Sequence, residues 1–153
     1  MYESLLVKLA KALQRAGIPY MVIGGQAVLQ YGEPRLTRDI DITLGVDINE
    51  LPRVLSLMQE NGLNPAIKDV EAFAMKTNVL PVTDTTTGVR VDLVFSFSPY
   101  EREAILRTQP IRVGDQEIQY ASVEDIIVHK IVAGRPRDLD DVKGIVARRP
   151  HYD

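Results

Sequence analysis

The sequence predicts an α/β (α+β) domain: a mixed β-sheet with helices mainly on one side and a helical C-terminus. Three observations support this class. The segment YESLLVKLAKALQRAG repeats leucine at helical spacing. Short apolar runs suited to strands (IPYMVIG, DIDITL and VRVDLVFSF) alternate with helix-like segments, and the pattern becomes helical beyond residue 122. With 153 residues, 45% of them hydrophobic, the chain fits one domain, residues 1–153, whose helical C-terminal part covers about 122–149.

The first half of the chain is expected to alternate helices and strands. In the first helix, Leu5, Leu9 and Leu13 form the apolar stripe. The run IPYMVIG predicts a buried strand ending at Gly24–Gly25, and QAVLQYG predicts a short helix. The loop EPRLTR leads into the strand DIDITL. The segment NELPRVLSLMQENG then predicts a helix with Pro52 in its first turn.

In the second half, AFAMKT, VLPVTD and VRVDLVFSF are expected to be strands, the last two separated by the turn TTTG. PYEREAILRT predicts a helix, and IRVGDQEIQYA predicts a hairpin around Gly114–Asp115. Two helices, SVEDIIVHKIVAG and PRDLDDVKGIVARR, complete the chain. Ser122 and Asp125 resemble a capping box at the start of the first of them.

Composition excludes several kinds of site. There is no cysteine and there are only two histidines, so disulfides, thiolate metal sites and a histidine-rich zinc site are not expected. No apolar run approaches the ~20 residues of a membrane span, and no signal-peptide pattern is present, so we expect a cytoplasmic protein without a membrane partner. The net charge of −3 gives no general case for nucleic-acid binding. Residues 130–151 are locally basic, which indicates a solvated helix face or a surface for an acidic partner.

The segment DIDITL places two carboxylates on one face of a strand. Alternation sends Asp39, Asp41 and Thr43 to one side and the isoleucines to the other, with alternate residues roughly 7 Å apart. Two interpretations are open. The acids belong to a half-exposed edge strand, or they hold a divalent cation, since Mg²⁺ binds one or two carboxylates together with substrate phosphates.

A third carboxylate, Asp92, interrupts the strongly apolar strand VRVDLVFSF. A buried charge of this kind requires a partner. An ion pair with Arg90 is one interpretation. Beside Asp39 and Asp41, a three-carboxylate metal site is the other, and we favour it.

Gly24–Gly25 lies between a predicted strand and a predicted helix. Glycines let the backbone approach an anion, and the free N–H groups of a helix N-terminus attract it. The pair therefore predicts a phosphate cradle, although most Gly-Gly pairs are simple turns. Lys130 falls on the apolar face of its predicted helix, so it is expected to bind either an anionic phosphate or a nearby carboxylate such as Asp138.

Together these motifs resemble the polymerase-β-like nucleotidyltransferase superfamily: Gly-Gly, then Asp-x-Asp after thirteen intervening residues, then one further strand aspartate. The segments RLTRDID and EDIIVHKIVAGRPRDLDDV are similar, more narrowly, to the AbiEii-type and minimal nucleotidyltransferases. The resemblance covers roughly residues 18–146. It implies a nucleotidyltransferase-like fold and a metal-dependent enzyme that transfers NMP from an NTP to a hydroxyl acceptor. RNA such as tRNA, a protein or a small molecule could each supply that hydroxyl.

The resemblance also implies roles for individual residues. Asp39, Asp41 and Asp92 would bind Mg²⁺ or Mn²⁺, as two ions, and Asp92 would also act as base. The NTP would be held by five residues: Gly24, Gly25, Arg35, Thr37 and Lys130. Lys130 would also belong to the catalytic set. Glycine at position 25, where the family also has serine, leaves no side-chain hydroxyl for the phosphates.

The resemblance further implies a toxin–antitoxin or phage-defence context with a cognate antitoxin. A second class of function stays open beside the enzyme: a non-catalytic module that uses the same fold to bind a nucleotide or a partner protein. Metal-dependent NTP binding followed by pyrophosphate release would distinguish the enzyme from the module.

Overall fold

The computed structural model describes residues 2–23 and 39–133. Five helices and seven strands form in this part of the chain, together with one 3₁₀ turn, Ile48–Glu50. The helices are α1 (Tyr2–Arg15), α2 (Leu51–Glu60), α3 (Val70–Thr77), α4 (Pro99–Leu106) and α5 (Val123–Ala133). The strands are β1 (Tyr20–Ile23), β2 (Asp39–Leu44), β3 (Leu63–Pro65), β4 (Val79–Asp84), β5 (Arg90–Phe95), β6 (Gln109–Val113) and β7 (Gln116–Tyr120).

The seven strands form one mixed sheet in the order β3-β4-β5-β2-β1-β7-β6. The central pair, β2 and β5, is parallel and in register over six residues. β1 lies antiparallel to β2 and parallel to β7, and the remaining neighbours are antiparallel. The predicted α/β (α+β) class with a mixed sheet is therefore confirmed.

The charged residues of the central strands lie on one face of the sheet. On the core face the side chains of β2, β4 and β5 are apolar and almost entirely buried: Ile40, Ile42, Leu44, Leu80, Val82, Val91, Leu93 and Phe95. Residues paired across neighbouring strands share a face, so Asp41 and Asp92 lie together on the opposite side, the carboxylate face. Alternation thus keeps Asp41 and Asp92 out of the apolar core face.

Helix α1 packs on the core face through its leucine stripe. Leu5, Leu9 and Leu13 are buried, as the sequence predicts. An ion pair fixes the register of the helix against the sheet, because Lys8 Nζ lies 2.8 Å from Asp84 Oδ1 at the end of β4. Asp84 is buried and also accepts hydrogen bonds from the backbone N–H and hydroxyl of Thr87.

Local chemistry explains several boundaries. The hairpin β6–β7 turns through Gly114–Asp115, and Gly114 adopts φ +62°, which suits glycine in a two-residue turn. At the start of α5 the Ser122 hydroxyl accepts a hydrogen bond from the Asp125 N–H and donates one to its carboxylate. Both features match their sequence predictions. No helix in the described part of the chain is long and apolar enough to cross a membrane.

One predicted strand is wrong. The segment AFAMKT belongs to α3, not to a strand. Its buried residues, Val70 and Ala74, are four positions apart, which is the spacing of one helical face. The helix ends where Asn78 takes the left-handed conformation, with φ 63°. The predicted helices QAVLQYG and PRDLDDVKGIVARR lie outside the described residues.

The Lys8–Asp84 pair yields a stability prediction. Substituting Lys8→Met would leave the buried Asp84 carboxylate without its cation. Breaking a fully buried pair costs about 3–5 kcal/mol, and we expect roughly 2 kcal/mol here because the Lys8 side chain is 35% exposed. Urea unfolding measures the difference. The matched control is Lys11→Met, because Lys11 forms a long ion pair of 3.9 Å with the exposed Asp115, and its loss should change stability by less than about 0.5 kcal/mol. Equal effects of the two substitutions would contradict the assignment.

Candidate active site

Two carboxylates meet at the centre of the sheet. Asp41 on β2 and Asp92 on β5 are register partners on adjacent parallel strands, so both side chains leave the carboxylate face at the same level. Ile23, the last described residue of β1, is the partner of Asp41 on the other side. The chain continues directly from Ile23 into Gly24–Gly25. The end of β1 therefore reaches the level of the two carboxylates.

Asp39 shares this face one alternate position earlier in β2, beside Arg90 on β5. It is exposed, whereas Asp41 and Asp92 are half-buried. The three aspartates singled out in the sequence thus project from one side of two neighbouring strands. Both strands are held from behind by the buried apolar residues of the core face.

Asp92 has a partner in the protein. Arg90 Nε donates a hydrogen bond of 2.9 Å to Asp92 Oδ1, so the two side chains form an ion pair along the surface of β5. This is the ion pair that the sequence offered as one interpretation of Asp92. It places a guanidinium beside the carboxylates on the carboxylate face.

The carboxylates of Asp41 and Asp92 supply some, but not all, of the oxygen ligands that a hard cation needs. Two adjacent carboxylates are what Mg²⁺ takes when phosphate oxygens and water complete its coordination. Within residues 2–23 and 39–133, no group of three or more His, Cys, Asp or Glu side chains is assembled closely enough to hold a metal ion. Among the described carboxylates, Asp41 and Asp92 are the two that strand pairing places side by side.

The remaining predicted site residues are not part of this geometry. Gly24, Gly25, Arg35 and Thr37 lie outside the described residues. Lys130 belongs to α5, but its side chain is not among those described, and Asp138 lies beyond the described range. Their roles stay predictions.

A polar network, which sequence analysis missed, joins α4 to α5 beside the carboxylate face. The buried Asp125 carboxylate accepts hydrogen bonds from the Tyr100 hydroxyl at 2.7 Å and the Ser122 hydroxyl at 2.7 Å. It also pairs with Arg107, whose Nη2 lies 2.8 Å away. The capping motif identified Ser122 and Asp125, but nothing in the sequence pairs them with Tyr100 and Arg107.

This network shifts two pKa values in opposite directions. Burial and the Asp125 carboxylate raise the pKa of Tyr100 to about 12. Burial alone would raise the pKa of Asp125, but hydrogen bonds from Arg107, Tyr100 and Ser122 outweigh it and lower that pKa below its ordinary value. Asp125 is thus held as an anion with its charge compensated.

A mixed sheet with aspartates in register on adjacent central strands agrees with the nucleotidyltransferase-like fold that the sequence predicts. The chain belongs to the AbiEii family: the model of the nucleotidyl transferase AbiEii toxin, of type IV toxin–antitoxin systems, matches residues 9–151. It is therefore an enzyme of nucleotidyl transfer. No curated protein matches the chain.

Solved structures share the fold at low sequence identity. An antigenic nucleotidyltransferase-like protein from Paracoccidioides brasiliensis is 17% identical, with a TM-score of 0.69 over 97% of this chain and 75% of its own. The antibiotic-resistance factor ANT(2'')-Ia is 12% identical, with a TM-score of 0.65 over 95% and 83%. The lincosamide antibiotic adenylyltransferase LnuA is 15% identical, with a TM-score of 0.61 over 90% and 91%. At these identities the likeness concerns the fold alone.

The Asp125 network predicts a pH dependence of stability. A carboxyl group whose pKa is lowered by folding stabilises the protein above its unfolded pKa, about 3.9, and loses that contribution as pH falls through the folded pKa. Asp125→Asn should therefore lower the melting temperature at pH 7, and the gap to wild type should close in acid. Melting curves between pH 7 and pH 2 test this. Asp115→Asn, in the exposed hairpin turn, is the control and should follow wild type throughout; a gap for Asp125→Asn that persists at pH 2 would contradict the prediction.

Proposed function

We propose that this protein transfers a nucleoside monophosphate from an NTP to a hydroxyl group, with Mg²⁺ or Mn²⁺ held by Asp41 and Asp92. The observation that supports it most is the register pairing of these two aspartates on the carboxylate face of the sheet. Asp39, one alternate position away, would complete the carboxylate set. When bound, the divalent ions would stabilise charge on the reacting phosphate and on the leaving pyrophosphate.

The residues of the chain would divide the remaining work. Gly24 and Gly25, which follow Ile23 in the sequence, would supply backbone N–H groups to the triphosphate. Arg35, Thr37 and Lys130 would add contacts to it, and Asp92 would take the proton of the acceptor hydroxyl. The new bond joins the acceptor oxygen to the α-phosphorus. The bond from that phosphorus to the pyrophosphate oxygen breaks, and pyrophosphate leaves.

The biological setting proposed with this activity is a toxin with a cognate antitoxin, located in the cytoplasm. RNA such as tRNA, a protein or a small molecule could provide the hydroxyl. LnuA was solved with lincomycin bound, and ANT(2")-Ia was solved with adenylyl-2"-tobramycin, so two proteins of this fold hold small molecules.

One observation favours a second candidate. Because Arg90 already pairs with Asp92, the carboxylate has a structural partner without a metal ion. The fold would then serve as a non-catalytic module that binds a nucleotide or a protein partner. The two candidates differ in whether nucleotide binding requires a divalent cation and leads to pyrophosphate release.

Titration calorimetry with ATP, CTP, GTP and UTP, with and without Mg²⁺, tests the proposal. We expect binding of at least one NTP to require the metal and to be followed by pyrophosphate release. With metal and nucleotide at about 100 times Kd, the free energy of unfolding should rise by roughly 2.7 kcal/mol. Asp41→Asn and Asp92→Asn should lose this response. Asp115→Asn removes the same charge far from the site and should keep it; binding without turnover would support the module instead.

Lys130 is tested by its substitution with methionine, which has a similar volume. If Lys130 binds a phosphate, Lys130→Met should weaken NTP binding and leave folding nearly intact, because only the charged contact is lost. If it pairs with Asp138 in the interior, the same change should cost about 3–5 kcal/mol. A double-mutant cycle with Asp138→Asn separates the two, since strong coupling in urea unfolding with unchanged NTP binding would exclude the phosphate role.

A further inference from the structure

A cavity of about 380 Å³ opens on the carboxylate face beside the aspartate pair. Its floor is the sheet, where Met21, Ile23, Thr43 and Val94 contribute side chains, and its walls come from α4 and α5. Thr43 and Val94 are register partners two residues beyond Asp41 and Asp92. The floor of the cavity therefore lies about 7 Å from the carboxylates along the same two strands.

The rim of this cavity exposes apolar side chains to solvent. Phe97 is 69% exposed, and Tyr100 and Val128 also rank among the exposed large hydrophobic residues. All three line the cavity. A concave apolar site of this volume with a few polar groups is the usual form of a small-molecule pocket.

The floor carries one polar group that lacks a protein partner. Thr43 is 2% exposed, and its hydroxyl forms no hydrogen bond to any residue within 2–23 or 39–133. A buried hydroxyl without a partner is unfavourable by about 1–3 kcal/mol. Because Thr43 lines the cavity, a ligand atom there would satisfy it.

The acids of the cavity are already occupied. Asp125 is bonded by Arg107, Tyr100 and Ser122. Glu101 Oε1 accepts hydrogen bonds from the N–H and the hydroxyl of Ser98, which close the capping box of α4. Within the described ranges, each carboxylate that lines the cavity is therefore already hydrogen-bonded to protein groups. None is left to bind a cationic ligand. The chemistry favours a neutral, largely apolar molecule.

We propose that this cavity, which we call the acceptor pocket, holds the apolar body of a small neutral alcohol that receives the nucleotide. This inference rests on the proposed function. β1 runs from the level of Thr43 to Ile23, the register partner of Asp41, and the chain then continues into Gly24–Gly25, to which the proposed function assigns the triphosphate. The pocket begins at Thr43, in the opposite direction along the strands from Asp41 and Asp92. An in-line displacement needs the leaving pyrophosphate and the attacking hydroxyl on opposite sides of the phosphorus. The pocket lies on the attacking side.

The alcohol would be anchored at one end and react at the other. A polar atom of the molecule bonds to the Thr43 hydroxyl, and a second hydroxyl, about 7 Å away, reaches the aspartates. That oxygen forms the bond to the α-phosphorus, its proton passes to Asp92, and pyrophosphate leaves. The product is a nucleotidylated small molecule.

Binding to the pocket is tested without any nucleotide. The probe is 1,4-benzenedimethanol, whose two hydroxyls flank an apolar ring. We expect saturable NMR shifts of the methyl groups of Val94, Ala121 and Val128, which line the pocket. Phe97→Ala should weaken binding at least about fivefold, because it removes an apolar wall. Leu106→Ala is the matched control, since Leu106 is 86% exposed and does not line the pocket. Absent shifts, or shifts that Phe97→Ala leaves unchanged, would overturn the proposal.

The Thr43 contact has its own variant. Thr43→Val removes a buried hydroxyl without a partner, so folding should not suffer. It should weaken binding of 1,4-benzenedimethanol about three- to tenfold and leave toluene, which has no hydroxyl, unaffected. If Thr43→Val changes the binding of both probes equally, the Thr43 hydroxyl does not recognise the ligand. The cationic probe 4-(aminomethyl)benzyl alcohol should bind no more tightly than the diol; tighter binding would contradict the neutral class.

Transfer is tested with radiolabelled NTPs and Mg²⁺, offered two acceptor pools from the expressing cells: total RNA and low-molecular-mass metabolites. We expect the label to appear on a metabolite that a reversed-phase resin retains. Addition of the diol should reduce this labelling. Phe97→Ala should abolish it while leaving the Kd of the NTP unchanged. Label on RNA alone, insensitive to Phe97→Ala, would overturn the acceptor pocket while upholding nucleotidyl transfer. No label in either pool, despite diol binding, would contradict the proposed function and the acceptor role together.

Discussion

The parallel, in-register pairing of β2 with β5 is the constraint on which the candidate site depends. A shift of one residue in this pairing would turn a whole strand over and move Asp41 or Asp92 into the apolar interior. The register is fixed from the other side of the sheet, where Ile40, Ile42 and Leu93 are fully buried. Each such side chain contributes about 1.5–3 kcal/mol by leaving water. The carboxylates are thus positioned by the hydrophobic residues that alternate with them.

The same separation of polar and apolar groups continues beyond the sheet. Asp125 caps the start of α5 through Ser122 and binds Tyr100 and Arg107 from the α4 region. One buried carboxylate therefore ties together the two helices that wall the acceptor pocket. Since its charge is compensated within the protein, the pocket keeps an apolar character although an acid lines it. The shape of the pocket and the preference proposed for a neutral ligand thus both depend on this network.

Alternation within a strand could be predicted from the sequence, but contacts between distant strands could not. The pattern DIDITL determines that Asp39 and Asp41 share a face. That Asp92 stands beside Asp41 depends on a pairing across about fifty residues of chain, and local periodicity carries no such information. The segment AFAMKT was predicted wrongly because its four consecutive apolar residues are compatible with both the helical and the strand period. Its alanines and methionine favour a helix, and Asn78 ends it. The short strand β3 and the position of Thr43 at a cavity emerge only from the packing.

The ion pair between Arg90 and Asp92 reconciles the two interpretations that the sequence left open for that carboxylate. Arg90 is 43% exposed, and ion pairs at such positions are worth only about 0–1 kcal/mol. A divalent cation accompanied by phosphate oxygens would exceed that energy, so Asp92 could exchange one partner for the other with little loss of stability. The released guanidinium would still lie beside the carboxylates, where an anionic triphosphate would offer it a new partner. The ion pair is therefore compatible with the proposed metal-dependent reaction as well as with a purely structural role for Asp92.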